Sequence, residues 1–326
     1  MRAAFVAGPG PAESIRWDVL PDPARGPDQV LVRTRAVAVD HVDTYVRSGS
    51  FHTPVTWPLV VGRDLVGEVL EPPEHGGLAQ GDLVWTSSLG YENRPGATGE
   101  LAVIEEARCY RLPDGVDPVE AVATFHGATT ALLGLRRCGL APGEHLFVHG
   151  GGGGVGAVVV QIGLDAGARI TATARDDETL AWLRDLRDGV RMIDAVDSRE
   201  RPQADLARDV DVHWDSTGRI PLGEALVSLA RRGRVVVTAR RDTDEVPLGD
   251  LYLSDQSIIG FVLSRATCDE LAWAAAETNR LLAEGMRARA VRTMTMDQAA
   301  RAHALLEAGE VHGKLVLVPP TARPVS

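Results

Sequence analysis

Gly151, Gly153 and Gly156 stand at the spacing Gly-x-Gly-x-x-Gly inside the run HGGGGGVG, residues 149–156. Glycines so spaced let a backbone turn tightly, come close to a pyrophosphate and pack a helix against a strand. A helix that starts there aims free N–H groups and the positive end of its dipole at the phosphates. Consecutive glycines are costly in chain entropy unless something must approach the backbone, so the run reads as a phosphate cradle rather than a linker. Further on, in RITATARDD, Ala174 and Arg175 occupy the place where a carboxylate would otherwise take the ribose hydroxyls. Arg175 suits a 2′-phosphate, whereas Asp176, Asp177 and Glu178 directly after it would repel one. NADPH is the cofactor expected in preference to NADH.

A cradle needs a strand before it and a helix after it. EHLFV precedes the glycines and GAVVVQIGLDAGA follows them, about the length of a βαβ unit before the next strand. Strands are expected at 145–149, 169–174, 191–196, 209–215, 234–239 and 257–262. Helical patterns such as DDETLAWLRDLRDG and PLGEALVSLARRG lie between most of them. Such alternation implies a doubly wound parallel sheet, an α/β fold. Residues 1 to about 120 have another texture, with short β-rich runs (QVLVRTRAVAV, DLVGEVLE, GDLVWTSS) broken by Pro and Gly, and predict a compact barrel-like β domain. Two helices and the strand GKLVLVP after about 264 are too little for a core of their own, so this tail is expected to rejoin the first part.

Composition excludes several classes. A formal net charge of −11 with no basic run disfavours nucleic acid and anionic membrane as partners. Cys109, Cys138 and Cys268 stand alone, without a CxxC pair, so neither a disulfide framework nor a cysteine-built zinc site is indicated. With no apolar run of transmembrane length and an N-terminus unlike a signal peptide, a cytoplasmic location is expected. Of 34 basic residues, Lys314 is the sole lysine, so lysine chemistry is confined to that position.

Taken together, AVAVDHVDTYVRSGSF (36–51), PLVVGRDLVGEV (58–69), HGGGGGVG, DSTG (215–218), RRGRVVV (231–237), SIIGFVL (257–263) and VHGKLVLVP (311–319) make nearly the whole chain resemble the medium-chain dehydrogenase/reductase superfamily. Within it the likeness is to zinc-independent quinone oxidoreductases and enoyl reductases. The resemblance implies a GroES-like catalytic domain, 1–121 plus 264–326, a Rossmann dinucleotide-binding domain, 122–263, and an active site in the cleft between them. By the same resemblance Thr130, Gly151, Gly152, Gly153, Gly154, Val155, Gly156, Arg175, Ser216, Thr238, Phe261, Leu263 and Lys314 are the cofactor-binding positions. In zinc-dependent relatives a Cys in the first segment and a His-Glu pair in the second hold the catalytic metal. Here those positions are Asp40 and Arg63-Asp64, with a further ligand position near His126. An arginine brings a fixed positive charge where a cation would sit, and the lobe of four cysteines that binds structural zinc is missing, so no metal is expected.

Without a Lewis acid, the chemistry left is hydride transfer from NADPH to an acceptor that is already electrophilic, a quinone or an α,β-unsaturated carbonyl compound. Tyr45, Asp40 and Arg63 are the catalytic candidates. Tyr45 is expected as a wall or proton donor beside the nicotinamide. Asp40, where the resembled quinone reductases carry Asn, is either an acid or a partner of Arg63, and His41 reads as structural. Two alternatives stand: a specialised biosynthetic enone reductase or reductive cyclase of a polyketide-like intermediate, and an NADPH-binding redox sensor or crystallin-like protein without turnover. A small-molecule substrate and a homodimer, joined through a strand like SIIGFVL, complete the expectation.

Overall fold

The computed structural model describes residues 1–186, 193–199, 206–239 and 245–320. By packing, the chain forms two units: Met1–His126 with Thr267–Ser326, and Gly127–Ala266.

The first unit is built on the long strand Gln29–Val39. Val30, Val32, Thr34 and Ala36 alternate into the interior, as a sheet with one buried face requires. This strand pairs antiparallel with Leu65–Glu71, Leu101–Glu105 and Lys314–Val318. Leu83–Thr86 and Tyr110–Arg111 extend the sheet on one side, and Val291–Thr295 lies parallel to Lys314–Val318 on the other. A small sheet of Arg16–Val19, Arg2–Val6 and Leu59–Val60 completes the unit. The C-terminal strand is therefore hydrogen-bonded to the first long strand, with Leu315 opposite Val39. Val30, Val32, Val37, Leu65, Val69, Ile104, Leu315 and Leu317 share its apolar core.

In the second unit six strands lie in the order Ile193–Asp197, Arg169–Ala174, His145–His149, Val210–Asp215, Leu229–Val237, Ser257–Gly260, all paired in parallel. Helices Gly156–Asp165, Asp177–Asp185, Leu222–Val227 and Leu248–Leu253 intervene. The doubly wound parallel sheet expected from the alternation is present. Several boundaries differ from the pattern, most of all before the fifth strand. The helix read through PLGEALVSLARRG stops at Val227, and the strand begins at Leu229 instead of 234. Arg232 has a φ of 66°, and the pairing shifts register between Val210↔Leu229 and Val212↔Arg234, so the RRG segment is absorbed as an irregular entry to the strand. Residues 191 and 192, expected in the third strand, lie outside the described residues. Among the described residues no helix is long and apolar enough to cross a membrane.

Candidate functional site

The glycine run follows the central strand His145–His149 at its carboxyl end. Gly150 turns the chain with a φ of 75°, in the left-handed region that favours glycine. Its N–H donates to Thr173 Oγ1 at 3.0 Å, and Gly151 N–H donates to Thr173 O at 2.8 Å. A Cβ on Gly156 would lie 2.1 Å from Gly150 O, so that glycine is required for the helix to start against the turn. Gly153 differs, because a Cβ there would meet only Gly150 O at 3.4 Å. The fold would tolerate a side chain at that point, and an external group close to the backbone is what remains to demand glycine. Val155 caps the helix Gly156–Asp165 without a side-chain hydrogen bond; Ala157 N–H donates to Gly153 O at 2.9 Å and Val158 N–H to Val155 O at 3.1 Å, so what this helix start offers an anion is chiefly the positive end of its dipole.

Other expected cofactor positions fall at the same edge of the sheet. Arg175, Ser216, Thr238 and Phe261 each follow the carboxyl end of a parallel strand, where ligands of open α/β sheets bind. Leu263 is buried two residues further on, and the Arg137 guanidinium lies 4.9 Å from the centroid of the Phe261 ring. Thr130 Oγ1 and Ser216 Oγ are buried with no hydrogen-bond partner among the described residues, an uncommon state for interior hydroxyls. They fit a site made for a ligand that supplies their partners. The acidic trio after Arg175 is less repulsive than its sequence suggests. Asp176 caps the following helix, accepting from Thr179 N and Thr179 Oγ1 at 2.8 Å each. Asp177 is paired with Arg199 at 2.7 Å.

The titratable cluster lies in the first unit and follows from strand register. Val39 faces Leu315, which brings Asp40 to Lys314; Val37 faces Leu65 and Ala38 N–H donates to Asp64 O at 3.1 Å, which brings Asp64 to the same level. Gly62, with a φ of 95°, turns the chain just before Arg63-Asp64. Asp40 begins the helix His41–Ser48, its N–H donating to Asp43 Oδ2 at 2.8 Å. Asp40, Asp43, Arg63, Asp64 and Lys314 are all buried. His126, on the helix Pro118–Cys138, places Nδ1 3.6 Å from Asp64 Oδ2.

The sequence left Asp40 as an acid or a partner of Arg63, and placed Lys314 with the cofactor. Instead, the Lys314 ammonium donates a hydrogen bond to Asp40 Oδ1. Burial, the largest single influence, would raise the Asp40 carboxyl, yet the Lys314 charge and hydrogen bond, together with His126 and Asp64, outweigh it and hold Asp40 well below the usual carboxylate range. The pairing with Lys314 favours the ionised form of Asp40. Burial would lower Lys314, but Asp40 holds its ammonium above the ordinary value. Burial and the Asp40 charge push Asp64 well above its ordinary value and Asp43 to about 7. Burial lowers His126 to about 4, so its imidazole is neutral. Arg63 lies over the Tyr91 ring, 5.5 Å from its centroid. Tyr45 is 39% exposed. The sequence reading passed over Asp64 and treated His126 only as a ligand position. The solitary lysine was the one signal that could have led to their cluster.

Oxygen and nitrogen atoms of Asp40, Asp64 and His126 lie within 4.8 Å of one another, close enough for three ligands of one ion. One of the three already accepts from the Lys314 ammonium, which puts a fixed positive charge on a carboxylate that a dication would need.

Residues 26–114 match the family described as alcohol dehydrogenase GroES-like domain, and residues 154–278 that described as zinc-binding dehydrogenase. The chain is 28% identical over 305 residues to the quinone oxidoreductase of Sus scrofa, covering 89% of each. It is 28% identical over 286 residues to the acryloyl-coenzyme A reductase of Metallosphaera sedula, covering 80% of this chain and 84% of that one. A mycobacterial protein solved in complex with NADPH superimposes with a TM-score of 0.82 at 25% identity, covering 98% of this chain and all of the other.

Proposed function

The chain belongs to the medium-chain dehydrogenase/reductase superfamily and is an oxidoreductase, and on that premise we propose that it passes a hydride from NADPH to a quinone or an α,β-unsaturated carbonyl compound without a metal. The observation that carries this reading is the Lys314–Asp40 ion pair. It puts an ammonium where a catalytic cation would need an open carboxylate, and alcohol oxidation through a metal-bound alkoxide has no support from such a site. An acceptor already polarised by its own conjugation asks only to be positioned, stabilised at oxygen and protonated.

The glycine loop, Thr130 and Ser216 would hold the dinucleotide, with Arg175 at its 2′-phosphate. The bound dinucleotide supplies the hydride. NADPH is favoured by Ala174 and Arg175, by the engagement of Asp176 and Asp177 elsewhere, and by the NADPH complex of the mycobacterial neighbour.

The test is consumption of NADPH and NADH against a panel of quinones, simple enones and enoyl thioesters, with metal content measured on the same preparation. Turnover with quinones or enones, retained in chelator and with well under one zinc per chain, is expected. Tight NADPH binding without turnover on any acceptor points to the sensor-like alternative. Turnover only with one complex enone points to the specialised reductase. Stoichiometric zinc, with activity lost on its removal, would overturn the metal-free reading.

A further inference from the structure

His149 is the last residue of the central strand His145–His149, directly before the glycine turn. Register sets it between two neighbours. Asp215 lies beside it on Val210–Asp215, and Thr173 on Arg169–Ala174 brings its Oγ1 to 3.3 Å from His149 Nδ1. The same Oγ1 accepts from Gly150 N–H at 3.0 Å, so one hydroxyl ties the imidazole to the turn. That hydroxyl serves either state of the ring, donating to a bare Nδ1 or accepting from Nδ1–H. The DSTG turn, 215–218, closes on the same point, because a Cβ on Gly150 would stand 3.1 Å from Thr217 Cγ2. Arg219 N–H donates to Thr217 Oγ1 at 3.1 Å, which fixes the backbone of Arg219 close to the glycine turn.

His149 faces three charges, those of Asp215, Arg175 and Arg219. The carboxylates nearby are already taken. Asp215 Oδ1 accepts from Thr217 N, Thr217 Oγ1 and Gly218 N, and its Oδ2 from Ile220 N. Asp176 and Asp177 are engaged by Thr179 and Arg199. Arg175 and Arg219 are exposed, and neither has a carboxylate partner among the described residues. Three basic side chains thus converge at the strand ends where ligands of open α/β sheets bind. We propose that His149 and Arg219 complete, with Arg175, the site of the dinucleotide 2′-phosphate, and that His149 takes up a proton from solvent when this phosphate binds. This rests on the NADPH reading. The phosphate brings about −1.5 to −2 charges at pH 7, more than one guanidinium offsets. In the free protein burial first, and then the two arginines against the pull of Asp215, hold the His149 ring below its ordinary value. A dianion beside it reverses the sign of the local charge and draws a proton onto the ring. The affinity for NADPH therefore falls as pH rises through the value that the ring has in the complex. NADH, without the phosphate, shows no such fall.

The test is calorimetric titration of the whole chain, which needs no acceptor substrate. Alongside NADPH and NADH, the probes are 2′,5′-ADP, which carries the 2′-phosphate without nicotinamide, and 5′-AMP, which lacks that phosphate. Arg219→Ala should weaken NADPH and 2′,5′-ADP by about tenfold, and NADH and 5′-AMP by less than about twofold. His149→Asn keeps a hydrogen-bonding partner for Thr173 without the charge. It should weaken 2′,5′-ADP by about three- to tenfold near pH 6.5 and hardly at all near pH 9. In buffers of different ionisation enthalpy, NADPH binding to the wild type should take up more proton than binding to His149→Asn. Equal uptake overturns the proton step. Equal losses of NADPH and NADH in the variants, or unchanged affinities in a protein that still prefers NADPH, overturn the site while leaving the NADPH reading in place. A wild type that binds NADH as tightly as NADPH, and 5′-AMP as tightly as 2′,5′-ADP, sinks the NADPH reading itself.

Discussion

The Lys314 ammonium is hydrogen-bonded to the Asp40 carboxylate across 274 positions of the chain, and both groups are buried. Removing one partner of a buried pair strands the other, at a cost of about 3–5 kcal/mol. Lys314→Met should therefore destabilise the first unit by that amount in urea unfolding. Asp40→Asn with Lys314→Met should recover more than half of it, because no charge is then left alone. A double variant as unstable as the sum of the single ones would show that the two residues act independently.

His303 is buried on the helix Ala299–Glu307, where burial and then the Arg47 guanidinium lower its imidazole to about 3. Its folded pKa is depressed below the unfolded value of about 6.5. Its contribution is thus present above pH 6.5 and lost as pH falls towards 3, the unfolded chain binding the proton that the folded one refuses. Between pH 6 and 4 the wild type should lose stability faster than His303→Gln by about 1.4 kcal/mol per pH unit. Parallel stability curves for the two proteins would sink this assignment.

Arg175 is exposed at the end of Arg169–Ala174, with its acidic neighbours Asp176 and Asp177 engaged by Thr179 and Arg199. A charge-assisted contact to a 2′-phosphate is worth about 1.5–3 kcal/mol. Calorimetric titration should show Arg175→Ala weakening NADPH by about one to two decades while NADH binding hardly changes. Equal losses for the two dinucleotides would remove Arg175 from the 2′-phosphate.

Ser257–Gly260 ends the six-stranded sheet, paired on one side by Leu229–Val237. The helix just before it presents Leu248, Tyr252 and Leu253, each at least 70% exposed. An open sheet edge beside exposed apolar side chains favours a second copy of the chain. We expect the wild type to sediment as a dimer, and Tyr252→Asp with Leu253→Asp to sediment as a monomer of unchanged unfolding midpoint. A monomeric wild type would leave this edge without the expected partner.

The identity of the proton donor is open to a direct kinetic test. Tyr45 is the obvious choice beside Asp40, since a phenol carries its proton at neutral pH while an aspartate ordinarily does not. Tyr45→Phe should lower the rate of reduction in stopped flow more than it weakens NADPH binding. An unchanged rate in Tyr45→Phe would remove Tyr45 as the donor.

What the sequence determined by itself is what short-range pattern can carry. His145–His149 and Arg169–Ala174 lie where their apolar runs put them, because side-chain alternation and glycine placement act over a few residues. The glycine run announced its turn for the same reason, and the distinct β texture of the first part announced its sheet. The tertiary structure alone decided the chemistry of the carboxyls. Asp40, Asp64 and Lys314 meet because three distant strands pair in one register, and no local pattern encodes that register. Which carboxyl is ionised and which holds a proton depends on burial and on the nearest charge. Those are properties of the folded interior, so identical Asp side chains at 40 and 64 are displaced in opposite directions there, Asp40 towards the ionised form and Asp64 towards the neutral one.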